Sequence, residues 1–154
     1  MRKTTETLLG RALLALVTLG GGAVPPASAQ EPPPATVATF SIVGYEPETG
    51  EMGVAVQSRY FAVGAVVPWG ESGVGVIATQ AAVNTGYGPR GLALLKQGLT
   101  PDQVVQQLLA QDTFPRLNGR QVAVLDERGR VAVHTGEGAS EWAGHRMGAY
   151  FSAQ

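Results

Sequence analysis

From residue 38 onward, apolar and polar positions fall into two regimes. "TFSIVGY" and "MGVAVQS" are strand-like runs on either side of "EPETGE", where Pro47, Thr49 and Gly50 supply turn chemistry. That pattern predicts a β-hairpin. "FAVGAVVPW" and "GVGVIATQA" follow, rich in Val, Ile and Gly and separated by "GES". Their near-continuous apolar character predicts strands covered on both faces. The period then lengthens. In "YGPRGLALLKQG", Leu92, Leu94 and Leu95 predict a short helix that starts after Pro89 and stops at Gly98. In "LTPDQVVQQLLAQD", Thr100 is a cap, Pro101 takes the first helical position, and Val104, Val105, Leu108 and Leu109 form an apolar stripe. Beyond Pro115, "RQVAVLDERGRVAVHTG" predicts a second hairpin turning at "DERG", while the tail "EWAGHRMGAYFSAQ" has no strong period. Strands first with helices grouped in the middle predict an α+β fold with largely antiparallel sheets under helices.

The N-terminal region has a different character. Arg2, Lys3 and Arg11 flank the start of "ALLALVTLGGGAV", and Ala27-Ser28-Ala29 supplies small residues at a cleavage site. A basic start, a short apolar core and A-x-A predict a signal peptide over residues 1–29, hence export to the periplasm or the extracellular space. The run is too short and too glycine-rich to span a bilayer, which takes about 20 apolar residues, and Gly20-Gly21-Gly22 breaks it as a buried helix. With no cysteine for lipidation, no stable membrane anchor is expected. Residues 30–37 read as a Pro-rich spacer, and residues 38–154 as one domain.

Composition narrows the function. Without residues 1–29 the chain holds 8 Lys/Arg against 11 Asp/Glu, a net charge of −3. With no basic cluster left, binding to nucleic acid is not expected. The absence of cysteine excludes a disulfide scaffold, a thiol nucleophile and cysteine-ligated zinc. His134 and His145 stand eleven residues apart with no HxxxH or HExxH spacing, so no metal is expected. "GxSxG" is absent and "GESGVG" lacks the lysine of a phosphate loop, so neither a serine triad nor a nucleotide cofactor is expected.

Thr39 and Ser41 carry the first candidate chemistry. Strand alternation puts both hydroxyls on one face, opposite Phe40 and Ile42. Threonine also simply favours strands, so spacing alone leaves a structural role open. A chain beginning at Thr39 would set its hydroxyl beside its own α-amine, whose pKa of about 8 suits a general base.

"TFSIVGYEPETGEMGVAVQSRYFAVGAVVPWGESGVGVIATQAAVNTGYGPRGLALLKQGLT", with "QVAVLDERGRVAVHTG" and "EWAGHRMG", closely resembles the start of the DUF1028 proteins. The resemblance covers roughly Ala38 to Gln154. It implies the four-layer αββα sandwich of the N-terminal nucleophile (Ntn) hydrolases, with Thr39 as nucleophile and Ser41 as the next hydroxyl to consider. On the general Ntn pattern, Ser58 and Arg59 lie near Thr39, with Arg59 holding a substrate carboxylate or else making a surface ion pair. "TQAAVNTGYGPRG" is the most distinctive stretch. There Gln80 or Asn84 is a candidate oxyanion donor, and Tyr87 and Arg90 are candidate substrate-binding residues. The same letters also spell a turn and helix cap.

Two features depart from the pattern. Residues 30–38 still cover the Thr39 amine after signal cleavage, so a second cut between Ala38 and Thr39 is required; Ntn proteins can make such a cut with the same hydroxyl. The chain is also short for the fold. This predicts a domain incomplete at its C-terminus, with one face of the second sheet poorly covered and a tendency to dimerise or aggregate. The expected activity is that of an exported Ntn-type amidohydrolase acting on a small-molecule or peptide-like amide. The alternatives are a non-catalytic envelope module that binds a ligand, and a truncated reading frame that folds poorly.

Overall fold

In the computed structural model the described residues are 38–113, 115 and 117–154. The predicted signal peptide and spacer lie outside them. Among the described residues, eight strands form two antiparallel sheets. Strands β1 (Thr39–Tyr45), β2 (Met52–Ser58), β7 (Arg146–Met147) and β8 (Phe151–Ala153) make the first, in the order β2-β1-β8-β7. Strands β3 (Pro68–Glu71), β4 (Gly75–Ala81), β5 (Arg120–Asp126) and β6 (Val131–Thr135) make the second, in sequence order. Helices α1 (Tyr87–Lys96) and α2 (Pro101–Ala110) cover the second sheet. The fold is α+β, as the pattern predicts. No described helix is long and apolar enough to cross a membrane.

Two cores share the strands of the second sheet, which explains their unbroken apolar runs. On β4, Ile77 faces the helices with Val104 and Leu108, while Val76 and Ala78 face the first sheet. On β5, Val122 and Val124 take the helix side, and Ala123 and Leu125 take the sheet side. Both faces of these strands exclude water, so no polar alternation is needed. The first sheet differs. Val43 is fully buried against the second sheet, but Phe40 (55% exposed), Ile42 (37%) and Phe151 (43%) point outward. The described layers are thus helix, sheet, sheet, and the outer face of the first sheet bears apolar side chains.

Local chemistry accounts for most boundaries. The β1–β2 hairpin turns at Glu46–Glu51, with the Glu46 N–H donating to the Glu51 carbonyl (2.8 Å) and Gly50 at φ +76°. Thr100 and Gln103 form a capping box: the Gln103 N–H donates to Thr100 Oγ1 (3.4 Å) and the Thr100 N–H to Gln103 Oε1 (2.9 Å). Asp126 Oδ1 accepts from the N–H groups of Arg128 and Arg130, closing the "DERG" turn.

Three expectations are corrected. "FAVGAVVPW" is not one strand: a 3-10 turn occupies Val63–Ala65, Phe61 is fully exposed, and pairing begins only at Pro68. An apolar run without alternation does not by itself specify a strand. Helix α1 begins at Tyr87, before Pro89. Proline is tolerated there because the first-turn N–H groups have no intrahelical partner. Gly88 lets this turn lie flat on β3, since a Cβ there would fall 2.1 Å from the Trp69 ring. Finally, the aperiodic tail is structured. The Ser41 N–H donates to the Gln154 carbonyl (2.9 Å) and the Gln154 N–H to the Ser41 carbonyl (3.0 Å), which extends the β8 pairing along β1.

Candidate functional site

Thr39 opens β1 directly opposite Ser58, the last residue of β2. Their hydroxyl oxygens are 2.9 Å apart, and Ser58 Oγ also accepts from the Tyr60 N–H (3.0 Å). The strand alternation that buries Val43 turns Thr39 toward the second sheet. Gln80, at the end of β4, and Gln121, at the start of β5, meet there in register. Gln80 Nε2 donates to Gln121 Oε1 (2.8 Å) and, at 3.4 Å, to the Thr39 carbonyl. Gln121 Nε2 donates to Thr135 Oγ1 (3.0 Å) and to the Gly144 carbonyl (2.9 Å). Thr135 Oγ1 lies 2.9 Å from His145 Nδ1.

These groups make a polar end to the interface between the sheets, which Ser41 and Gln154 continue inward. Gln80 and Gln121 are 2% and 4% exposed, a burial that is costly unless the carboxamides are bonded. The Gln121 amide is well used, whereas Gln80 Oε1 is buried and has no hydrogen-bond partner. Thr39, Gln80 and Gln121 line a cavity of about 640 Å³ that opens between β4, β5 and the segment 138–143. That size suits a small ligand.

A buried charge cluster braces one wall. Arg120 Nε donates to Asp112 Oδ2 (2.7 Å), and the Tyr87 hydroxyl donates to the same oxygen (2.6 Å). Arg120 Nη1 also donates to the carbonyl of Ala82, a wall residue, while the Ala82 N–H donates to the Gly119 carbonyl (3.0 Å). The adjoining Ala81 sits at φ +62°, a left-handed conformation disfavoured for a residue with a Cβ. Burial first, then the Asp112 contact, pushes the Tyr87 phenol well above its ordinary 10. The hydrogen bond to Asp112 raises Arg120 further, against the opposing effect of burial.

The residues singled out in the sequence therefore separate. Thr39, Ser58 and Gln80 come together. Ser41 is fully buried between the sheets, where Gln154 Nε2 donates to its hydroxyl (3.3 Å), and it does not line the cavity. Asn84 closes the turn that leads into α1, with Oδ1 accepting from the Gly86 N–H (3.0 Å), while Gly86 itself is the N-cap. Tyr87 is a core residue committed to Asp112. Arg90 Nη2 donates to Gln111 Oε1 (2.6 Å) on the helical side, and Arg59 is exposed just past β2. Neither arginine lines the cavity. Sequence reasoning missed Gln121, Thr135 and the segment 138–143. A signal for Gln121 was present: it shares strand parity with Ala123 and Leu125, so it is a polar residue on a buried apolar face.

His134 stands on the helix-facing side of β6, in parity with Ala132. Burial first, and His145 second, hold its pKa below the ordinary 6.5. Between the folded and unfolded pKa values, the unfolded chain binds a proton that the folded chain refuses. Stability is expected to fall as pH drops below about 6.5 and to be fully present above it. Urea unfolding across that range should show this slope, and His134→Asn should flatten it.

Fold and site define a two-sheet α+β protein with a polar cavity at the start of its first strand. The chain belongs to DUF1028, a family of unknown function whose match covers residues 39–154. It is similar to the crystal structure of a DUF1028 protein from Silicibacter pomeroyi, with 33% sequence identity and a TM-score of 0.71. That match covers 77% of this chain and 51% of the other, so this chain spans about half the length of that structure. No curated protein matches the chain.

Proposed function

We propose that the protein is an exported amidohydrolase of the N-terminal nucleophile type, in an Ntn-like sandwich, with Thr39 as nucleophile. The observation that carries this reading is the Thr39 hydroxyl, held 2.9 Å from Ser58 Oγ at the edge of a cavity containing two buried carboxamides. Maturation breaks the Ala38–Thr39 bond. Thr39 Oγ attacks the Ala38 carbonyl carbon, the C–N bond breaks, and the hydroxyl proton ends on the departing amine. Water then hydrolyses the resulting ester and leaves a free amino terminus. In turnover that amine takes the hydroxyl proton as Oγ attacks a substrate amide. It returns the proton to the leaving amine, and water releases the acyl group. Ser58 orients the nucleophile. Gln80 Nε2 donates to Gln121 Oε1 at 2.8 Å and only loosely, at 3.4 Å, to the Thr39 carbonyl, so its second hydrogen is the one that would turn to the developing oxyanion.

A second reading, a non-catalytic envelope module that binds a ligand, has one observation in its favour: Ala38 precedes Thr39 and itself lines the cavity. Intact mass and N-terminal sequencing of the exported protein separate the two. A start at Thr39 is expected. A start at Gln30 that persists on long incubation would leave the amine acylated and would favour the binding module.

A further inference from the structure

The cavity beside Thr39 has one charged side chain among its described lining residues, the anionic Glu141. The guanidinium of Arg120 behind the wall is occupied by Asp112 and by the Ala82 carbonyl. The side-chain charge lining the site is thus negative, opposite to what the arginines in the sequence suggest.

Trp142, next to Glu141, is fully exposed and has φ +65°. Both properties are unfavourable. An indole left in water forgoes its burial, and a left-handed backbone suits glycine far better than tryptophan. The conformation is enforced locally: the Ala143 N–H donates to the Ser140 carbonyl (3.0 Å), and the Gly144 carbonyl accepts from Gln121. The rim is therefore tied to the same carboxamide that holds Gln80 beneath Thr39. Strain retained at the mouth of a cavity points to a role for the side chain presented there. An aromatic face attracts an organic cation through its quadrupole, and a neighbouring carboxylate attracts it through charge. Ala81, Ala82, Gly119 and Ala139 are among the other lining residues, and their small side chains fill little of the cavity.

We propose that the site takes amides bearing an ammonium group close to the scissile bond, namely amino-acid amides and short peptides with a free α-amine, and that Glu141 and Trp142 read the cation. This rests on the reading of the Thr39 cavity as the substrate site and names its substrate class. The test uses the full chain and ligand-observed NMR with L-alaninamide and its neutral counterpart N-acetyl-L-alaninamide. The cationic probe should bind about fivefold tighter. Glu141→Gln should reduce that preference to the roughly threefold part that Trp142 supplies, while leaving the neutral probe unaffected. Trp142→Gly, which suits the left-handed backbone, should weaken the cationic probe about threefold without lowering the melting temperature. Equal binding of the two probes, preference for the neutral one, or binding of neither overturns the proposal. Measuring hydrolysis of L-alaninamide by Thr39→Ala keeps the two readings apart. Hydrolysis retained in that variant sinks the nucleophile and leaves the cation preference standing, whereas a missing preference with hydrolysis dependent on Thr39 sinks only the cation site.

Discussion

Asp112→Ala is expected to destabilise the folded chain by about 3–5 kcal/mol, measured as a fall in the urea midpoint with unchanged slope. The carboxylate is fully buried and faces a guanidinium that is 3% exposed. Its removal leaves that charge desolvated without its counter-ion and takes the acceptor from the Tyr87 hydroxyl. Native domains are stable by roughly 5–15 kcal/mol, so the variant should approach the threshold of folding. Replacing Asp112 and Arg120 together by apolar residues should recover much of the loss, because a buried pair often contributes little over a well-packed apolar one. A cost under about 1 kcal/mol for Asp112→Ala would mean that water reaches the cluster, contrary to its burial.

On the proposed reading of Thr39 as nucleophile, Thr39→Ala should lower amide hydrolysis by at least about a thousandfold, because removal of a nucleophile leaves only binding and oxyanion stabilisation. Thr39→Ser should keep measurable turnover, since it retains the hydroxyl opposite Ser58. The fold should tolerate both, as Thr39 is half-buried at the open end of the sandwich. The assay is hydrolysis of an amino-acid amide by the purified protein, with thermal melts as control. If Thr39→Ala still turns over, Ser58 is the next hydroxyl to test. Ser41 is not, because it is sealed between the sheets and bonded to Gln154.

Short-range chemistry was readable wherever it was self-sufficient. The first hairpin, the Thr100 cap, the Val104–Leu108 stripe and the "DERG" turn depend on residues within a few positions of one another, and the structure contains them all. The stretch before Pro68 misled because composition without period says only that a segment is apolar. The tail misled for the opposite reason. A three-residue strand carries too little pattern to register, and β8 exists because β1 offers it an edge.

The site divides along the same line. Thr39 and Ser58 were legible as a pair because one hairpin sets them opposite each other. Gln80 stood out, beside Asn84, as a candidate oxyanion donor within "TQAAVNTGYGPRG". No local pattern, however, brings Gln80 to the Thr39 carbonyl or to Gln121, each 41 residues away in sequence. Nor does it send Tyr87 into the core or carry the Glu141–Trp142 rim to the mouth of the cavity. The sequence by itself determined the alternation, the caps and turns, the candidate nucleophile and the family. Only the tertiary structure decided which polar groups share a cavity and what charge that cavity bears. Those outcomes depend on sheet register and sheet-on-sheet packing, which join distant segments through contacts that no local pattern encodes.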